Sequence, residues 1–195
     1  MCPRCLSLER HRLLWLFLIR ELRIKEKKLS ILHFAAEPSL RARLQSLPGI
    51  RYLAADLSPM QGQAAVDIAA LGLKPESFDL ILCCHVLEHI PEDRAALLEL
   101  FRVLKPGGTA VLQVPLAGES TDEDSRITDP GERLRRFGQE DHVRLYGRDV
   151  ENRIEQAGFD VECVDYAAVL TPLEIFRCRL LAEGENEDRI YMARR

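Results

Sequence analysis

The stretch that most constrains the fold runs from Ser77 to Val114. Leu80-Ile-Leu-Cys-Cys84 is a short apolar run that leaves an acidic turn and stops at His85. Apolar at successive positions, it reads as a strand buried on both faces, as in a parallel sheet. Pro91 to Leu104 has the spacing of an amphipathic helix, Lys105-Pro-Gly-Gly108 terminates it, and Thr109 to Val114 is a second buried strand. In open sheets built from such strand–helix–strand units, ligands sit beyond the carboxyl ends of the strands. His85 therefore falls on a ligand-bearing edge.

The flanking sequence extends the pattern. Leu29 to Phe34 reads as a first core strand, Ser39 to Ser46 as a helix with Pro38 in its first turn, and Arg51 to Ala55 as a second strand leading to Asp56. Met60 to Ala65 is too short for a full crossover helix, and Val66 belongs to a brief third strand ending at Asp67. Ala117 to Asp141 is polar and without clear structure, the character of a lid or substrate loop. Gly147 to Ala157 reads as a helix, Phe159 to Tyr166 and Arg189 to Ala193 as antiparallel edge strands, with Glu183 to Asp188 as their hairpin turn. Strands alternating with helices give an α/β fold with a mostly parallel, doubly wound sheet.

Composition narrows the function classes. A chain of 195 residues suits one domain, or one domain with a small appendage. A net charge of -4 and no basic stripe weigh against nucleic acid as a partner. Leu13 to Ile19 is far shorter than the ~20 apolar residues of a membrane span. It reads as part of a docking helix, Ser7 to Arg23, that covers core, and no small-residue cleavage site follows it. The expected location is therefore cytoplasmic, and the six cysteines are expected as reduced thiols, with Cys83 and Cys84 packed as small apolar groups. Cys2-Pro-Arg-Cys5 has the spacing of half a zinc site, with His11 as a possible third ligand and no obvious fourth. No metal site is assigned on that basis. His85-Val-Leu-Glu-His89 matches the spacing of an inverted zinc-protease motif, but a strand end at His85 and Pro91 close behind oppose the continuous helix such a motif needs.

Phe34-Ala-Ala-Glu37, Asp56, Asp67 and His85 all fall at strand ends, three carboxylates and a histidine at one rim. A carboxylate accepts two hydrogen bonds from a ribose diol. The segment from Val66 to Ile81, with His85-Val-Leu-Glu-His89 and Arg102-Val-Leu-Lys-Pro-Gly-Gly108, resembles class I S-adenosylmethionine-dependent methyltransferases of the bacterial type-11-like group. The resemblance covers about residues 29–166 and implies a Rossmann-like, seven-stranded sheet. It divides the chain into residues 1–28, a Cys-x-x-Cys segment and docking helix, and residues 29–195, a methyltransferase-like domain. It implies Asp56 on the ribose of S-adenosylmethionine, Asp67 and Ile68 at the adenine, and His85 beside the cofactor. Phe34, Ala36 and Glu37 complete the expected cofactor set. The first-strand turn has no glycine, where the family usually has several; alanines keep it small, and Glu37 is placed to meet the cofactor's ammonium.

Gln139 to Tyr146 lies on the acceptor side. His142 either takes a proton from an acceptor hydroxyl or amine, or pins the loop. Arg144 either holds an acceptor carboxylate or phosphate or does the same pinning, and Tyr146 is placed beside it. The sulfonium donor is already activated, so no nucleophile motif is expected. The resulting expectation is methyl transfer to a small-molecule acceptor. The alternative is a catalytically inactive methyltransferase-like binding or regulatory module.

Overall fold

The computed structural model describes residues 2–57, 64–180 and 189–195. In chain order its strands are β1 Leu29–Phe34, β2 Ile50–Asp56, β3 Ala64–Ala65, β4 Phe78–Cys84, β5 Leu104–Gln113, β6 Asp122–Glu123, β7 Arg144–Leu145, β8 Asp160–Val164 and β9 Ile190–Arg194. The α-helices are α1 Glu9–Arg20, α2 Pro38–Gln45, α3 Asp93–Val103, α4 Pro130–Phe137, α5 Val150–Gln156 and α6 Pro172–Cys178. Seven strands form one sheet in the order β3-β2-β1-β4-β5-β9-β8. Every pairing from β3 to β5 is parallel, and β9 runs antiparallel to both neighbours.

Side-chain alternation along these strands sorts the core into two layers. Leu32 and Phe34 of β1, Ile81 and Cys83 of β4 and Leu112 of β5 pack with Leu97 and Leu100 of α3 and Val150 and Ile154 of α5. Ile31, Leu80, Leu82 and Val111 point to the opposite face, against Leu14, Phe17 and Leu18 of α1 and Leu40 and Leu44 of α2. Burial on both faces accounts for the unbroken apolar runs. The Leu13 to Ile19 run is thus one wall of this second layer. Among the described residues no helix is long and apolar enough to cross a membrane.

Several expected boundaries move. Lys105 to Gly108 does more than stop α3: the pairing jumps from Phe78–Leu104 to Leu80–Thr109, so these four residues bulge out of β5. Lys105 Nζ holds the bulge to Asp79 Oδ1 at 2.8 Å. Val66 is not in the third strand, which ends at Ala65; the Val66 amide still donates to Asp56 O at 3.0 Å. The helix expected from Gly147 begins at Val150. Only β8 is an edge strand of the expected pair, because β9 inserts between β5 and β8. The stretch from Ala117 to Asp141 is not structureless: it holds β6, which pairs with β7, and α4, capped by Asp129 Oδ1 on the Glu132 amide. Residues 60–63 of the stretch read as a shortened crossover, and the turn at 183–188, lie outside the described residues.

Candidate functional site

The register fixes the rim. Phe34 pairs with Ala55 on one side and Cys83 on the other, so β1, β2 and β4 end at one level. Ala35 and His85, the residues that follow β1 and β4, both adopt left-handed backbone, with φ of 46° and 54°. Left-handed backbone costs a residue with a Cβ about 1–2 kcal/mol. At Ala35 the chain accepts that cost where glycine would adopt the turn freely. The His85 amide donates to Gln113 O at 2.8 Å, which extends the β4–β5 ladder to the point where the chain turns away.

These ends open on a cleft of about 320 Å³, within the range of small-molecule sites. Phe34, Asp56, Asp67, Ile68 and His85 line it, five of the seven residues expected at a cofactor. Asp67 Oδ1 accepts from the Ala69 amide at 2.8 Å, which fixes its turn. The lining also includes Val86, His89, Ile90 and Asp141. His89 had a signal in the sequence as the end of the His85 to His89 spacing, and Asp141 as the neighbour of His142, yet neither is in the expected site set.

Glu37 and Ala36 do not line this cleft. Glu37 turns the other way, with Oε1 3.2 Å from His11 Nε2 and Oε2 3.3 Å from His33 Nε2. The approaches are close but poorly aligned as hydrogen bonds. Burial alone would push the Glu37 carboxyl up, but the two imidazoles overcome it and hold the group well below the usual carboxylate range. The Leu8 amide donates to His11 Nδ1 at 3.3 Å, so the proton of a neutral ring sits on Nε2, toward Glu37. Glu37 thereby ties α1 to the first turn, and His11 is turned away from any partnership with Cys2 and Cys5. The Cys5 thiol is drawn down to about 7, first by its contact with the Ser7 hydroxyl. All six cysteines are free.

The acceptor-side residues are deeply set. Arg144 is 4% exposed. It donates from Nη1 to the carbonyls of Leu87 and Ile90, from Nη2 to Pro91 O at 2.8 Å, and from Nε to Glu123 Oε2 at 3.0 Å. The Tyr146 hydroxyl donates to Asp93 Oδ2 at 2.7 Å, and Arg153 bridges Asp93 and Glu123 at 2.9 and 2.7 Å. Arg153, then Arg144, hold the Glu123 carboxyl at about 2 against its desolvation. Arg144 is a wall of a separate charged groove, with Arg126, Arg133 and Arg136, and is not on the strand-end cleft. His142 is also covered, at 3% exposed. Its Nδ1 lies 3.0 Å from Phe137 O, and its ring meets the His89 ring edge-on at 4.7 Å. His85 does not continue into a helix, and only Leu87–His89 form a short 3₁₀ turn, so the protease-like spacing has no helical face.

Residues 40–112, which cover Asp56, Asp67 and nearly all of the β4–α3–β5 unit, match the family model described as a methyltransferase domain. Over those residues the chain is similar to methyltransferase domains. A crystal structure of an S-adenosylmethionine-dependent methyltransferase from Mesorhizobium loti superposes with a TM-score of 0.63, 20% identity, and coverage of 90% of this chain and 96% of that one. The 1,6-didemethyltoxoflavin-N1-methyltransferase of Burkholderia thailandensis, solved with bound 1,6-didemethyltoxoflavin and S-adenosylhomocysteine, gives a TM-score of 0.60 at 14% identity, covering 94% of this chain and 76% of that one. These likenesses show the fold of the methyltransferase domain. In sequence, the malonyl-[acyl-carrier protein] O-methyltransferase of Alcanivorax borkumensis is 33% identical over 105 residues, 47% of this chain and 36% of that protein. A ubiquinone biosynthesis O-methyltransferase of Pseudomonas fluorescens is 44% identical over 34 residues, 17% of this chain and 15% of its own length. The alignments thus reach only about a third of the length of the first relative and less of the second.

Proposed function

We propose that the chain is an S-adenosylmethionine-dependent methyltransferase acting on a small-molecule acceptor. The observation that carries this reading is the cleft at the ends of β1, β2 and β4, lined by Asp56, Asp67 and Ile68 within a methyltransferase domain. When bound, S-adenosylmethionine supplies an activated methyl group on a sulfonium. Asp56, at the end of β2, accepts hydrogen bonds from the ribose hydroxyls. Asp67 and Ile68 border the adenine, Phe34 gives an apolar wall, and the strained turn at His85 sets that side chain beside the donor. The acceptor enters past His89, Ile90 and Asp141, and the fold's contribution is alignment of donor and acceptor. His142, the expected proton acceptor, stands behind His89 and does not itself line the cleft. Arg144 and Tyr146 shape the acceptor side from beneath, by holding its loop. The likeness to a ubiquinone biosynthesis O-methyltransferase supports a small-molecule acceptor, and the malonyl-[acyl-carrier protein] relative is likewise an O-methyltransferase.

Calorimetric titration of the metal-free full chain with S-adenosylmethionine and S-adenosylhomocysteine tests the reading. Saturable binding of both is expected, and Asp56→Ala is expected to weaken it about 10–100-fold, the loss of hydrogen bonds to a charged group. Unchanged affinity in Asp56→Ala, or binding of neither nucleoside, overturns it.

A further inference from the structure

His89 and His142 come from segments more than fifty residues apart, yet each turns its Nδ1 toward an oxygen acceptor. A carbonyl oxygen only accepts, so His142 Nδ1 carries a proton toward Phe137 O at 3.0 Å. His89 Nδ1 lies 3.2 Å from Asp141 Oδ2. A neutral imidazole with its proton on Nδ1 presents a lone pair at Nε2. His142 Nε2 is buried and has no hydrogen-bond partner.

Glu88 stands beside them and is 1% exposed. Its Oε1 is 3.5 Å from His85 Nδ1, while its Oε2 is buried without a hydrogen-bond partner. Burying a carboxylate without compensation is costly, and a cation is the usual remedy. One ligand atom each from Glu88, His89 and His142 lies within 4.8 Å of the other two.

We infer that Glu88, His89 and His142 bind a divalent transition-metal ion, zinc or a first-row relative, beside the strand-end cleft. Two imidazole nitrogens and one carboxylate oxygen suit such an ion and leave positions open. Bonds of about 2.0–2.2 Å require the cluster to contract by about 1 Å, which the partly exposed His89 ring can supply. Phe137 O and Asp141 are the outer partners that fix ligand tautomer in metal sites. His89 and Asp141 face the cleft, so the open positions are available to a water or to an acceptor oxygen. A bound cation lowers the pKa of that oxygen. His142 is then a ligand rather than a proton acceptor. The site does not rest on the methyl-transfer reading, since it is built from the coordination chemistry of these side chains alone.

The test uses the tag-free full chain with Cys2→Ser and Cys5→Ser, so that terminal thiols take no metal. After chelator treatment, calorimetry with zinc is expected to show one equivalent bound. Cobalt(II) is expected to give visible d–d absorption without a thiolate charge-transfer band. His89→Gln is expected to abolish binding. Asp141→Ala, at an exposed side chain whose loss leaves the core intact, is expected to weaken it about 10–100-fold. No binding, or binding unchanged in both His89→Gln and Asp141→Ala, overturns the assignment. Either result leaves the nucleoside titration of the metal-free chain unaffected, so the two proposals fail separately.

Discussion

On the strand side of the cleft the geometry is held by backbone, and on the loop side by charge. Phe34, Asp56 and His85 reach the rim because three parallel strands stop in register, and two left-handed residues turn the chain there. The loop from 117 to 146 has only two-residue strands of its own. It is fastened by Arg144, Tyr146, Arg153, Asp93 and Glu123, a mostly buried ionic network beneath the Leu87–His89 turn. A ladder of backbone hydrogen bonds is indifferent to most single side chains. A network of buried charges depends on every member.

That contrast can be broken most directly at Arg144. Arg144→Ala leaves the Asp93 and Glu123 carboxylates short of a partner and takes one donor from each of the Leu87, Ile90 and Pro91 carbonyls, and is expected to cost about 3–5 kcal/mol in denaturant unfolding. Arg144→Lys is expected to recover little, because an ammonium cannot reproduce the fork. A loss below about 1 kcal/mol would show that the loop is held by something else. Next in size is Gly147, where an added Cβ would collide with the Glu119 and Ser120 backbone. Gly147→Ala is expected to cost about 1–3 kcal/mol by forcing those backbones apart; a neutral result would mean that the loop yields freely.

The pH dependence sharpens the same comparison. Glu123, held at about 2, and Glu37, held well below the usual range, are both charged in the folded protein well into acid. Their folded values are depressed, so they stabilise fully above the ordinary carboxylate range. That stability is lost as pH falls from there toward the folded values. Acid unfolding followed by circular dichroism should show this decline, and Glu37→Gln should flatten its part of it. An identical acid limb in Glu37→Gln would remove Glu37 from the account. The smallest effect is expected on the strand side. Ala35→Gly relieves the left-handed strain but adds unfolded-state freedom, so the net change is expected to be below about 1 kcal/mol. A large loss would show that the Ala35 methyl packs as core.

Legibility followed the same division. Leu80 to Cys84, Leu29 to Phe34 and the acids after the strands were readable because a doubly buried strand leaves a continuous apolar run and the rim follows from its end. α4 was missed because Pro130 to Phe137 is almost wholly polar and buries only Phe137. A helix with one buried residue has little periodic signal. Glu37 was expected at the cofactor because it follows the first strand. Its actual partners, His11 and His33, lie on α1 and inside β1, and no local pattern indicates that they converge.

The sequence by itself determined the mostly parallel α/β class, the central strands and the residues at their ends, since those depend on apolar runs and turn residues close together in the chain. The tertiary structure alone decided how the polar side chains were spent. It turned Glu37 from the cleft to two histidines, committed Arg144 and Tyr146 to the framework, and gathered Glu88, His89 and His142 across more than fifty residues. Apolar burial is set by averaged pattern. A hydrogen bond or a ligand sphere needs specific atoms within about 3 Å, and those distances exist only once the chain has closed.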